Sequence, residues 1–129
     1  MYNLVLDNTQ YLVLLLNREV IIINTQFKKG VLELLVMLIV ESNDKYGYEL
    51  VEEVSNVVNV NEGTIYPILK RLTNENYFET YLKESTEGPP RKYYHLTILG
   101  KKRKDELLSE WKKFNESVNK FIKESGKSE

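Results

Sequence analysis

From Gly30 to Val40 every residue except Glu33 is apolar or glycine. The run predicts a helix, and a helix that is apolar on all sides must be covered on nearly all of them. With 129 residues the chain has the length of one domain, which struggles to wrap such a helix alone. Alanine is absent, so the core has to be built from Leu, Ile, Val and aromatic side chains.

The remaining elements can be read in order. Asn43-Asp44-Lys45 breaks the apolar pattern, and Tyr46-Gly47-Tyr48 leads into a second short helix with Leu50, Val51, Val54 and Val58 at helical spacing and Glu49, Glu52 and Glu53 around its outer side. Asn61 is an N-cap for a third helix that runs to about Asn74. Its inner face is Ile65, Ile68, Leu69 and Leu72; Gly63, Tyr66, Pro67, Lys70, Arg71 and Asn74 fall on the opposite side. An interior proline costs about 3 kcal/mol through a missing hydrogen bond and a ring clash, so Pro67 predicts a distorted first turn.

Tyr77 to Lys83 alternates as a strand does, with Phe78, Thr80 and Leu82 on one side, and Arg91 to Leu96 is a second strand-like segment in which Tyr93 and Tyr94 alternate, at least one of them in the core. Together they predict a hairpin, whose connection Glu84 to Pro90 is too long for a two-residue turn and projects as a loop. Thr97 caps a last helix with Gly100 in its first turn and a repeat at Leu107, Trp111, Phe114, Val118 and Phe121, the spacing of a coiled-coil-like seam.

Several function classes are excluded by what is missing. Without cysteine there is no disulfide, thiolate metal site or cysteine nucleophile, and His95, the single histidine, provides no imidazole cluster in their place. No glycine-rich phosphate loop and no credible carboxylate pair supplies catalysis, so neither an enzyme nor a cofactor or metal is expected. The formal net charge of -1 hides a local field. Thr25 to Val60 carries three basic and six acidic residues, whereas Tyr81 to Lys104 has seven basic residues (Lys83, Arg91, Lys92, Lys101, Lys102, Arg103, Lys104) against Glu84 and Glu87, a net +5.

Three helices with a short turn between the second and third, followed by a two-stranded hairpin, outline a mainly α fold with a small β-hairpin, the winged helix-turn-helix, in which the later helix of the pair enters the DNA major groove. Gly63 lets backbone approach a duplex, Lys70 and Arg71 supply cationic donors, and Tyr66 and Asn74 supply hydrogen-bonding tips. Lys83, Arg91 and Lys92 stand where a wing reaches phosphate or the minor groove. Lys101 to Lys104 reads as a charged helix surface in preference to a DNA contact. The alternative for the whole is a winged helix used as a protein-protein interaction module without sequence-specific DNA binding.

The chain closely resembles the PadR family of bacterial transcriptional regulators. The resemblance is carried by Gly30-Val31-Leu32-Glu33-Leu34-Leu35, Tyr46-Gly47-Tyr48-Glu49-Leu50, Gly63-Thr64-Ile65-Tyr66-Pro67-Ile68-Leu69-Lys70-Arg71-Leu72 and Arg91-Lys92-Tyr93-Tyr94-His95-Leu96-Thr97-Ile98-Leu99-Gly100. It spans Gln26 to about Lys123, and the family accommodates a proline at the place of Pro67. The resemblance implies a homodimeric repressor whose C-terminal dimerisation helix packs on the first and last helices of its partner, with Leu107, Trp111, Phe114, Val118 and Phe121 in the interface. A single long terminal helix matches the short-tailed branch, in which some multidrug-sensing members stack flat aromatic compounds on a tryptophan between subunits. Trp111 matches that place, so Trp111 and Phe114 are candidate effector residues, although a packing anchor is the more common role. His95 lies where relatives often have a basic residue, which favours a strand-surface role over pH sensing.

The expected organisation is an N-terminal extension over 1–24, a winged-helix DNA-binding domain over 25–97, a dimerisation helix over 98–124 and a flexible tail over 125–129. Neither a signal peptide nor a membrane span fits the first 24 residues, whose apolar runs are broken by Asn17-Arg18-Glu19, and the chain reads as cytoplasmic. That extension is either an added strand or helix packing on the domain or the product of a start codon assigned too early. The expected function is a dimer binding a pseudo-palindromic operator in double-stranded DNA through Gly63, Tyr66, Pro67, Lys70, Arg71 and Asn74, with Thr64 and Lys28 on phosphate and Lys83, Arg91 and Lys92 on the wing. A small aromatic effector would release it.

Overall fold

The computed structural model describes residues 29–126. The expectations for the N-terminal extension, for Lys28 and for the end of the tail lie outside those residues. Contacts divide the chain into two units, Met1–Leu32 and Glu33–Glu129. Of the first unit only a helical turn, 29–32, is described.

Helix α1 comprises 29–42 among the described residues. It is followed by strand β1 (Lys45–Tyr46), helix α2 (Gly47–Ser55), helix α3 (Glu62–Asn74), strands β2 (Phe78–Lys83) and β3 (Arg91–Leu96), and helix α4 (Ile98–Glu124). The helical part of the core is formed by large apolar side chains: Leu34, Val36, Met37 and Val40 from α1, Leu50 and Val54 from α2, and Ile65, Ile68, Leu69 and Leu72 from α3 are all buried. Each such side chain removed from water contributes about 1.5–3 kcal/mol before ordering entropy is counted. The apolar character of α1 exceeds what this unit buries, since Leu35, Leu38 and Ile39, at i, i+3 and i+4, stay half-exposed.

The sheet has three strands in the order β1-β3-β2, where two were expected. Lys45 pairs with Tyr94 and Tyr46 with Tyr93, antiparallel, so the chain that breaks after α1 docks on the hairpin before α2 starts. Two residues are too few to show an alternating pattern, which is why this strand escapes a periodicity argument. The hairpin register runs from Phe78↔Leu96 to Lys83↔Arg91. Phe78, Tyr94 and Leu96 fill the inner face at its base, with the Phe78 and Tyr94 rings edge to face at 5.9 Å. The other five residues of β2 are exposed as the hairpin leaves the core.

Helix α3 continues through Pro67, but its first turn is tightened: the Asn61 carbonyl accepts from both Thr64 N–H (3.1 Å) and Ile65 N–H (3.3 Å). Asn61 occupies the N-cap with extended backbone, yet its side chain makes no capping hydrogen bond. Thr97 caps α4 as its sequence position suggests, its Oγ1 accepting from Gly100 N–H at 2.9 Å and donating to the Asn76 carbonyl at 2.7 Å. Lys104 departs from the expected charged helix surface. It is 7% exposed and pairs with Glu41 (2.8 Å) and Asp105 (2.6 Å), pinning α4 to the end of α1. Beyond it no described residue of α4 is buried.

Candidate nucleic-acid interface

Burying Ile65, Ile68, Leu69 and Leu72 fixes the rotation of α3, and the opposite face follows from the 3.6-residue period. Gly63, Thr64, Tyr66, Pro67, Lys70 and Asn74 are all exposed. Lys70 stands one turn beyond Tyr66, and among the described residues it makes no ion pair. Arg71 differs from what its position promises. Its guanidinium contacts Glu33 of α1 at 2.6 Å and Glu75 at 3.0 Å, so it braces α3 against α1 and is not presented as a free donor.

Tyr66 is held as well as exposed. A Cβ added to Gly47 would lie 2.6 Å from Tyr66 Cε1 and 3.2 Å from its hydroxyl, so the ring lies directly on the backbone at the start of α2. Only a glycine permits that approach. Burial raises the Tyr66 pKa, as do the charge of Glu62 and the neighbouring Tyr46 and Tyr48, so the phenol is a protonated donor at neutral pH.

The wing orders its cations on aromatic rings. By the alternation of strands, Lys83, Arg91, Tyr81, Tyr93 and His95 share the outer face. Tyr81 and Tyr93 stack at 5.6 Å, Tyr93 and Tyr46 are also 5.6 Å apart, Lys83 Nζ lies 5.2 Å above the Tyr93 ring, and the Arg91 guanidinium lies 4.5 Å above Tyr46. Arg91 also meets Glu87 of the loop at 3.3 Å. Lys92 is exposed on the other face.

His95 sits on the strand surface, 49% exposed, with Nδ1 2.9 Å from Asp44 Oδ1; the other carboxylate oxygen accepts from the Tyr81 hydroxyl at 2.7 Å. An ionised carboxylate only accepts, so the proton is on Nδ1. Burial pushes the Asp44 carboxyl up, but the Tyr81 and His95 hydrogen bonds and the charge of His95 outweigh it and hold the pKa below the ordinary value. The trio ties the segment before β1 to both hairpin strands.

Between wing and helices lies a cleft of 330 Å³ lined by Tyr46, Gly47, Tyr48, Tyr66, Arg91, Lys92 and Tyr94. Of these, sequence reasoning singled out Tyr66, Arg91 and Lys92 for DNA and missed the rest. Only the pairing of β1 with β3 brings Tyr46-Gly47-Tyr48 beside Arg91–Tyr94, and the available signal was the concentration of tyrosine in just these segments.

On α4, Leu107 and Trp111 are half-buried, while Phe114 (54%), Val118 (39%), Phe121 (72%) and Ile122 (36%) are exposed. Among the described residues no group of three or more His, Asp or Glu side chains could hold a metal ion, and no helix is long and apolar enough to cross a membrane.

Comparison with known proteins agrees with this architecture. Residues 35–106 match the model of the transcriptional regulator PadR-like family. A PadR-like transcriptional regulator of Bacillus cereus is 38% identical with a TM-score of 0.69, covering 75% of this chain and 96% of its own. A PadR-like transcription factor of Bacteroides fragilis is 39% identical with a TM-score of 0.65, over 77% of this chain and 97% of its own. An uncharacterized protein of Lysinibacillus sphaericus is 34% identical over 98 residues, 73% of this chain and 90% of the relative. A winged helix with an exposed polar recognition face, matched by family and by fold to transcriptional regulators, makes this chain a DNA-binding member of the PadR-like family of transcriptional regulators.

Proposed function

We propose that the protein is a homodimeric repressor that binds a pseudo-palindromic operator in double-stranded DNA. The observation that carries this reading is the surface of α3, where Tyr66 and Lys70, the latter in no ion pair among the described residues, stand out beside a wing bearing Lys83, Arg91 and Lys92. Gly63, Thr64, Pro67 and Asn74 complete the helix face, and Lys28 is assigned to phosphate. Arg71 is assigned to the edge of the groove with its guanidinium braced by Glu33, so its contribution is chiefly to hold the helix. Two such helices in a dimer span half-sites about 34–36 Å apart.

Dimerisation is supported by unfinished apolar surface on two elements. Leu35, Leu38 and Ile39 form a half-exposed stripe on α1, and Val118, Phe121 and Ile122 are exposed on α4. Bound across a promoter, the dimer blocks transcription in the cytoplasm. A flat aromatic effector stacking on Trp111 and Phe114 between subunits would release it by favouring a spacing of the two α3 helices that no longer matches two grooves, which requires tighter binding to that state.

Selection of bound sequences from random duplex DNA tests the reading. The expected result is an enriched inverted repeat whose affinity falls steeply with added salt, because Lys and Arg displace counterions from phosphate. Binding indifferent to salt and sequence would identify a protein-protein interaction module instead.

A further inference from the structure

The cleft between α2, α3 and the wing gathers phenol hydroxyls and two cations along one lining. Tyr94 is 7% exposed, lines the cleft, and has no hydrogen-bond partner for its hydroxyl among the described residues. The hydroxyl is not sealed from solvent, so water or a ligand oxygen that enters the cleft can accept from it. Burial and the adjacent Tyr66 raise its pKa, so it remains a donor. Tyr66 is fixed on Gly47 with its hydroxyl at the first turn of α2, where the helix dipole favours negative charge and the Glu49 carboxylate accepts from the Tyr46 N–H at 3.2 Å. Arg91 and Lys92 stand at the rim. Glu87, the carboxylate paired with Arg91, is 78% exposed and sits on the loop, where an incoming anion can replace it.

We propose that this cleft seats one phosphodiester of the DNA backbone, and that Tyr66 serves as a phosphate donor there instead of a reader of bases. The assignment rests on the reading of the chain as a sequence-specific DNA binder. The chemistry selects an anion, since phenols, guanidinium and ammonium all donate. The size selects a backbone over a free ion: 330 Å³ is several times the volume of a phosphate, and the four tyrosine rings give apolar walls for the deoxyribose on either side. Gly47 is then a positioning residue, setting the ring that sets the hydroxyl.

The test uses the full chain, the selected operator and a scrambled duplex of equal length. Y66F and Y94F keep both rings, and thermal melting checks that they fold. Each is expected to weaken binding to both duplexes by about tenfold with the operator preference unchanged, the scale of one charge-assisted hydrogen bond; G47A, which dislodges the Tyr66 ring, should do the same. K70A serves as the contrast and should change the preference. Neutral methylphosphonate placed at each backbone position in turn should find one position per half-site where wild type loses affinity and Y66F loses nothing further. Loss on the operator alone, or no position coupled to Y66F, overturns the proposal and returns Tyr66 to base reading. Inorganic phosphate at matched ionic strength should not displace DNA; displacement abolished by Y94F would make the occupant a free phosphate and overturn the assignment to the backbone. A wild-type protein that binds neither duplex defeats the wider reading of function, an outcome distinct from all of these.

Discussion

Gly100 is the residue at which one added methyl group does most harm. A Cβ there would collide with the Tyr77 carbonyl oxygen and lie 2.6 Å from Leu96 Cδ1, and the first of these neighbours is backbone held by the Thr97 N–H and Oγ1. Nothing flexible can give way, so Gly100→Ala should destabilise the fold by about 1–3 kcal/mol, the usual cost of overpacking, read from the midpoint of chemical denaturation. An unchanged midpoint would mean that α4 enters the domain by another path. Asp44 yields a second prediction at this scale. Its folded pKa is lowered, so the stability it contributes is fully present above the unfolded carboxyl value of about 3.9 and is lost as the pH falls through the folded value. Asp44→Asn should flatten stability against pH across that acid window, measured by melting temperature from pH 6 downward, and a slope equal to wild type would show the trio idle. Neither residue is legible as such in the sequence. Gly100 was visible as a glycine in a first turn, but the carbonyl it must clear lies 23 positions earlier, and Asp44 looked only like part of a break between helices.

At the scale of elements, what the sequence foretold and what it did not divide by the range of the forces involved. The inner face of α3 is legible because Ile65, Ile68, Leu69 and Leu72 repeat with the helical period, and their burial fixes the outer face without further information. The hairpin is legible through alternation and the cap of α4 through Thr97. Strand β1 and the cleft it helps to build depend on register between segments some fifty residues apart, which no local pattern encodes. Arg71 shows the same limit on a single helix: its spacing puts it with Lys70, but the carboxylate that claims it belongs to α1. A double substitution measures that claim. Arg71→Ala leaves Glu33, 16% exposed, without its cation and should cost about 1–2 kcal/mol, less than a fully buried pair because the guanidinium is one-third exposed. In an E33Q background the same change should cost a few tenths of a kcal/mol only. Equal costs in the two backgrounds would return Arg71 to the groove as a free donor.

For the whole molecule the deciding quantity is the surface that one chain leaves uncovered. Helix α4 is 27 residues long, about 40 Å at 1.5 Å per residue, and only Gly100 and Lys104 are buried along it. A seam carrying Val118, Phe121 and Ile122 in water would be a liability in a monomer and is the ordinary dress of a helix that pairs. In the proposed twofold interface each residue counts twice, so Phe121→Glu inserts two charges into one contact. With about 2 kcal/mol for each central aromatic lost, the substitution should weaken self-association by about 4 kcal/mol while leaving the melting of the winged unit nearly unchanged, because Phe121 is 72% exposed there. Sedimentation equilibrium at micromolar loading reads the first effect and operator binding reads its consequence. A monomer holds one half-site, so its plot of log affinity against log salt should fall with about half the wild-type slope, since that slope counts the phosphates neutralised. A variant that remains dimeric with the full slope would place the interface elsewhere, and the half-exposed stripe of Leu35, Leu38 and Ile39 on α1 would become the surface to substitute next.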